Sequence, residues 1–226
     1  MGSSMEPKDA MSVVATLSTI ALFLTGVQIC MKIRKQGNTK NVSVFPFLAS
    51  DVSCILWLKY GILKEDATLI IVNVVGVLLE SLYILVFYLH EFEKVSIHRK
   101  FLYSCLFVFP VLTYVKFYLD DLSDALGQLG LICCGCSITM YGAPLASVAE
   151  VIRTKSTASM AFPLSLANFL VALEWAFYGH IVMDNFVKVP NIIGALLGFL
   201  QLTLFYCYSG SPGAGNQSTT PPIRTV

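Results

Sequence analysis

The chain has 226 residues, of which 56% are apolar and only 13% charged, against about 25% charged residues in a soluble domain; its mean hydropathy is +0.72. The 15 Lys+Arg and 14 Asp+Glu leave a net charge of +1, so there is no basic excess to hold nucleic acid. The seven cysteines are odd in number and lie mostly inside apolar runs, which excludes a secreted disulfide scaffold and leaves an integral membrane protein.

A bilayer core needs about 20 mostly apolar residues per helix. Seven runs qualify, at 13–32, 44–60, 67–89, 101–119, 126–149, 161–179 and 187–208. The first lacks a basic leader and is followed by Lys32, Arg34 and Lys35, so it reads as a retained span and not a cleaved signal. Glu6 also breaks the myristoylation pattern. The second run holds Asp51 and Lys59 and is the weakest by hydropathy, yet bundle interiors tolerate such groups. The third contains Asn73, Gly76 and Glu80, and the fifth Cys133, Cys134 and Cys136. Those cysteines have no His or acidic partners at metal spacing, so they read as small packing residues and no metal is expected. Glu174 and Trp175 lie in the sixth run, Asn191, Gly194 and Gly198 in the seventh. The stretch 209–226 is rich in Ser, Gly, Pro and Thr and reads as a disordered tail. His90, His98 and His180 fall at helix ends. No nucleophile elbow, P-loop, dinucleotide loop or H-E-x-x-H pattern is present, so neither an enzyme nor a cofactor is indicated.

With the amino terminus outside, Lys32, Arg34, Lys35, Lys40, Lys94, Arg99, Lys100, Arg153, Lys155 and Arg224 fall inside, and Lys8, Lys59, Lys64, Lys116 and Lys188 outside. The positive-inside rule selects that orientation and a cytosolic carboxyl terminus. The sequons at Asn41 and Asn216 then face the cytosol and read as chance matches.

The strongest signal is a repeat. An offset of 118 links Trp57 to Trp175, Tyr60-Gly61 to Tyr178-Gly179, Asp66 to Asp184, Asn73 to Asn191, Gly76 to Gly194, and Gly26 to Pro144, while Pro46 and Pro163 match at 117. Runs 1–3 therefore correspond to runs 5–7, and run 4 has no partner. Three spans are an odd number, so two units in one orientation need one extra crossing between them. The predicted fold is an all-α membrane protein of seven transmembrane helices, arranged 3+1+3. Its units are 12–89, the linker span 101–119, and 126–208.

At about 1.5 Å per residue, Asn73 lies roughly 9 Å below the outer end of its helix, and Asn191, Trp57 and Trp175 lie at similar depth. Amides bond hydroxyls and indole faces cover C–H surfaces, so the four suit a neutral, hydroxyl-rich ring. An amide can also simply tie helices together, and an indole can anchor at the interface; the paired repetition favours a binding cavity. Gly26, Pro46, Pro144 and Pro163 weaken four helices at one inner depth. They are candidates for an inner hinge or gate, with static kinks as the alternative. Gly76, Gly194 and Gly198 allow close helix packing. At the outer mouth, Tyr60 and Asp66 with their partners Tyr178 and Asp184 either pair as a gate or are solvated. Asp51 is either a proton carrier or a hydrogen-bonded structural carboxyl, the second being favoured because no acidic relay accompanies it. Glu80 and Glu174 build no motif.

The stretch Val151–Tyr208, with I-R-T-K-S-T-A-S-M-A-F-P-L-S-L, W-A-F-Y-G, D-N-F-V-K-V-P-N-I-I-G and L-G-F-L-Q-L, resembles the SWEET family of sugar facilitators, as do F-P-F-L, W-L-K-Y-G and I-V-N-V-V-G in the first half. The resemblance covers residues 12–208, and tryptophan in both halves is similar to the animal branch. The family is a type example of parallel repeats related by an axis along the membrane normal. It implies passive, bidirectional transport of mono- or disaccharides by alternating access, in a plasma or Golgi membrane. It also implies sugar contact by Asn73 and Asn191 and a pocket lined by Trp57 and Trp175. Pro46, Pro144 and Pro163 match a four-proline inner hinge from which Gly26 departs, and Tyr60 and Asp184 match an outer gate. A homo-oligomer is implied too. A proton-coupled PQ-loop exporter is the runner-up, weakened by the missing Pro-Gln dipeptide. A seven-span receptor is disfavoured by the duplication itself.

Overall fold

The structure, a computed structural model, describes residues 6–208; the predicted tail 209–226 lies outside the described residues. Among these, the helices are α1 Pro7–Phe23, α2 Thr25–Gln36, α3 Phe45–Lys64, α4 Ala67–His90, α5 Lys94–Phe117, α6 Leu122–Met140, α7 Gly142–Thr154, α8 Phe162–Ile181 and α9 Asn185–Tyr208. The pairs α1–α2 and α6–α7 each form one span with a break, which gives seven spans in all. Six are long and apolar enough to cross a membrane by length and composition. The seventh, α8, is 20 residues long and packs between α1 and α9; Asn168, Glu174 and His180 lower its hydropathy.

The two breaks fall one repeat apart. Leu24 lies between α1 and α2 with φ −64° and ψ −13°, and the Val27 N–H reaches back only to the Leu24 carbonyl, at 3.1 Å. The Thr25 hydroxyl donates to the Leu22 carbonyl at 2.7 Å. Tyr141 breaks the fifth span with a similar tight turn, its N–H on the Ile138 carbonyl at 3.1 Å. Pro144 follows and cannot donate to the Met140 carbonyl four residues back, which gives the second break a covalent cause. Left-handed residues repeat as well: Gly37 at φ 68° matches Lys155 at 55°, and Glu65 at 56° matches Met183 at 54°. Each follows a helix end and reverses the chain.

In each half the third helix lies between the first two. α4 packs on α1, α2 and α3, and α9 packs on α6, α7 and α8. The halves meet where α1 lies on α8 and α3 on α6, two interfaces that exchange under the repeat. α5 packs on α3 and α6 and has no counterpart. Leu56, Tyr60, Leu69, Val72, Leu129, Cys133, Trp175, Tyr178 and Val187 form one buried cluster that spans both halves. Outside the membrane segments, the Thr39 hydroxyl donates to Glu91 Oε2 at 2.6 Å and the Glu93 N–H to Oε1 at 3.0 Å. These bonds, the Thr39 one first, hold the Glu91 carboxyl below its usual range and tie the α2–α3 loop to the end of α4.

Gly61 and Gly179 let the second and third helices of each half approach closely. A Cβ on Gly179 would lie 2.7 Å from the Lys188 N and 2.9 Å from its Cα, and one on Gly61 would lie 2.9 Å from Leu69 Cβ. Backbone cannot swing aside as a side chain can. Gly179→Ala is therefore expected to destabilise the protein by about 1–3 kcal/mol through overpacking. The measurement is the thermal unfolding midpoint of the purified protein in detergent. Gly127→Ala is the control, since a Cβ there meets nothing within 4 Å; equal midpoints for the two variants would refute the packing argument.

Candidate functional site

The carboxyl-terminal parts of α3 and α8 place their aromatic residues between the halves. Trp57 Nε1 donates across to Ser137 Oγ on α6 at 3.2 Å, and Trp175 Nε1 to Thr19 Oγ1 on α1 at 2.8 Å. Tyr60 meets Trp57 edge-on at 5.5 Å and 82°, and Tyr178 meets Trp175 at 5.4 Å and 80°. Thr19 and Ser137 are themselves 118 apart. Sequence reading missed both, because hydroxyls are ordinary in membrane helices; the offset was the signal that could have found them.

On the third helices, Asn73 Nδ2 donates to the Leu69 carbonyl at 2.8 Å, and Asn191 Nδ2 to the Val187 carbonyl at 2.7 Å. Each bond uses one amide hydrogen and fixes the rotamer, leaving the second hydrogen and Oδ1 for a ligand. Asn73, Asn191, Trp57 and Trp175 line one central cavity of about 200 Å³, together with Thr19, Ser50, Ser53, Cys54, Ser137 and Met140. The structure thus brings the four candidate binding residues together, and no Asp, Glu, Lys or Arg is among the lining residues. The site is a neutral cavity lined by two amides and two indoles.

Beyond the aromatic pairs, two clasps join the halves. Tyr60 OH donates to Asp184 Oδ2 at 2.9 Å, and the Lys64 ammonium pairs with the same oxygen. Tyr178 OH donates to both Asp66 oxygens, at 2.8 and 2.9 Å. Each carboxylate also caps a helix: Asp184 Oδ1 accepts from the Phe186 and Val187 N–H groups at 2.9 and 3.2 Å, and Asp66 Oδ1 from Leu69 N–H at 3.1 Å. One residue therefore starts the third helix of its own half and clasps the second helix of the other. Only one clasp is ionic, because Val182 stands where the second half would need a lysine.

The four candidate hinge residues fall into two kinds. Pro46 and Pro163 occupy the first turn of α3 and α8, where no intrahelical N–H bond exists to lose, so they start their helices without bending them; both are exposed. Gly26 and Pro144 follow the two breaks directly. Gly26 is buried against the Tyr83 ring. α2 packs on α4, and α7 on α9, each within its own half. A recess lined by Met140, Tyr141, Pro144, Asn191 and Gln201 continues the cavity toward Pro144.

A further proline, Pro190, was not singled out from sequence. Pro190 lies inside α9 and leaves the Phe186 carbonyl without its helical donor; Cys134 Sγ–H fills that role at 3.0 Å. The Tyr141 hydroxyl donates to the Pro190 carbonyl at 2.8 Å. Asp51 is half-buried and faces Ser81, whose hydroxyl donates at 3.4 Å, while Glu174 accepts from the Ser18 hydroxyl. Among the described residues, no three His, Cys, Asp or Glu side chains gather as a metal site.

Comparison with known proteins agrees with this architecture. A family model described as "sugar efflux transporter for intercellular exchange" matches residues 9–94 and 127–213, the two halves without the linker helix. The chain is 40% identical to "Sugar transporter SWEET1" of Rattus norvegicus over 201 residues, covering 88% of this chain and 90% of that one. It is 34% identical to the protein of the same name from Drosophila pseudoobscura pseudoobscura over 201 residues, covering 88% and 89%. A eukaryotic SWEET transporter solved at 3.7 Å superposes with a TM-score of 0.82 at 28% identity, over 89% of this chain and 96% of that one. With both halves matched and the whole seven-helix arrangement reproduced, the chain belongs to the SWEET family of sugar transporters.

Proposed function

We propose that the chain is a facilitative carrier that moves mono- or disaccharides in either direction by alternating access. The observation that carries this reading is the neutral central cavity, which Asn73, Asn191, Trp57 and Trp175 line together. Amides suit ring hydroxyls, indoles suit ring C–H faces, and the absence of charge suits a neutral cargo. The relatives' description as sugar transporters supports the same cargo. At about 200 Å³ the cavity is smaller than the about 300–1,000 Å³ of drug-sized sites, which suits a small solute in this conformation. The clasps at Tyr60–Asp184 and Tyr178–Asp66 form the outer gate, and the breaks at Gly26 and Pro144, with Pro46 and Pro163, form the inner hinge. The units 12–89 and 126–208 rock against each other around α5. The amino terminus lies outside or in the lumen and the carboxyl terminus in the cytosol, in a plasma or Golgi membrane, and the carrier works as a homo-oligomer.

Counterflow tests the function. Proteoliposomes loaded with unlabelled hexose are expected to accumulate labelled hexose transiently, while a pH gradient alone drives no accumulation. Absence of counterflow over a panel of sugars would refute it. The hydroxyls that orient the indoles give a finer test. Thr19→Ala or Ser137→Ala removes a bond of about 0.5–1.5 kcal/mol, so KM for uptake is expected to rise about 2- to 10-fold at unchanged surface abundance. Unchanged KM in both variants would show that the indoles do not need them.

A further inference from the structure

Glu80 is a buried group that the transport reading leaves unused. Its side chain is 6% exposed. Oε1 accepts from the Ser50 hydroxyl at 2.9 Å, and Oε2 is buried without a hydrogen-bond partner among the described residues. The titratable groups within electrostatic reach are Cys30 from α2, Asp51 and Cys54 from α3, and Tyr83 from α4 itself; none is cationic. The Tyr83 hydroxyl is already spent on the Phe23 carbonyl at 3.2 Å. A buried carboxylate with one neutral hydroxyl and no cation costs several kcal/mol, and a second carboxylate nearby adds repulsion. The neutral acid avoids both costs.

Two further observations give the site a route and a role. Ser50 lines the central cavity, so one hydroxyl separates Glu80 from cavity water. Tyr83, one turn along α4, holds the break between α1 and α2 by packing on Gly26 and bonding Phe23. The second half has no such group: at the offset of 118, Phe169 and Gly198 replace Asp51 and Glu80, and Phe169 packs directly over Gly198. The carboxyl pair thus sits where the other repeat uses a ring against a glycine.

We propose that Glu80 is a proton-binding site, loaded from the cavity through Ser50, whose occupancy sets how freely the α1–α2 break bends. With the proton in place, the α2–α4 contact carries no charge and the break bends freely. Without it, an unpaired negative charge behind Gly26 and Tyr83 arrests the hinge. The proton is taken from and returned to the same side, so it sets the rate without driving accumulation.

The inference rests on the carrier reading above, and the experiment separates the two. In proteoliposomes held at equal pH on both faces, equilibrium exchange of labelled hexose by the wild type is expected to fall about threefold or more from mildly acidic to mildly alkaline pH. Glu80→Gln should keep the low-pH rate throughout, and Asp51→Asn should still show the fall. A flat wild-type profile, or a Glu80→Gln variant that falls like the wild type, overturns the site. So does a rate that follows the replacement of sodium by choline at fixed pH, which would assign the oxygens to a metal cation. Infrared difference spectra supply a readout that needs no transport: the neutral-acid carbonyl stretch should be present in the wild type near neutral pH and missing from Glu80→Gln. Its absence from the wild type refutes the proton site. Its presence in a preparation that exchanges no sugar upholds the site and refutes the carrier.

Discussion

Replacing Asn73 or Asn191 by alanine is expected to reduce uptake of labelled sugar to background in hexose-transport-deficient cells, with membrane abundance unchanged. Folding should survive, because alanine is the better helix former and the bond each amide makes is to a carbonyl of its own helix. Binding should not. Each amide offers the cavity a donor and an acceptor that no neighbour replaces, and a sugar hydroxyl left unpaired in a closed box costs about 1–3 kcal/mol on top of the lost bond. Two such groups per amide put the loss at about 100-fold or more, and loss of either wall breaks the paired arrangement. Undiminished uptake in both variants would remove the binding assignment.

The second large effect belongs to Asp184. Asp184→Ala is expected to lower transport about tenfold or more, because one carboxylate does three jobs. It clasps Tyr60, pairs with Lys64 and caps α9. The cap alone is worth about 0.5–2 kcal/mol. Lys64 keeps 26% of its side chain exposed and can turn to water, so the ion pair adds less than a fully buried pair would. Asp184→Asn separates the jobs, since asparagine caps a helix well but cannot pair with an ammonium. It should leave the unfolding midpoint near that of the wild type while opening the outer mouth. An impermeant thiol reagent on the outer side should then reach Cys54, which lines the cavity, faster than in the wild type. Asp66→Asn should do less, because its clasp has no cation. Wild-type transport and wild-type Cys54 labelling in Asp184→Asn would show that the clasp is not a gate.

Much of this site was legible because duplication writes it twice. A single intramembrane asparagine is ambiguous between binding and packing, but Asn73 and Asn191 at one offset imply two facing positions around an axis, and the structure sets them around one cavity. Other features were hidden by the physics of the bilayer. In lipid both faces of a helix are apolar, so hydropathy reports that a run crosses and says little about which side chains meet. Run 13–32 therefore reads as one helix although it breaks at Leu24. Charge drew attention to Asp51, which faces Ser81 near the surface of its half. Burial falls instead on Glu80, because α4 is the helix enclosed by its neighbours.

Amino-acid order alone determined the number of crossings, the two equivalent halves with an unmatched helix between them, and the polar residues that face the centre. Those follow from run length, from the parity of three spans and from the cost of burying polar groups, all properties of a linear chain in a solvent that cannot hydrogen-bond. Tertiary packing alone decided which end of the bundle is clasped, which hydroxyls hold the indoles, that Lys64 joins one clasp, and that Glu80 is left with an unpaired oxygen. These depend on distances between helices far apart in the chain, where a shift of an ångström makes or breaks a hydrogen bond.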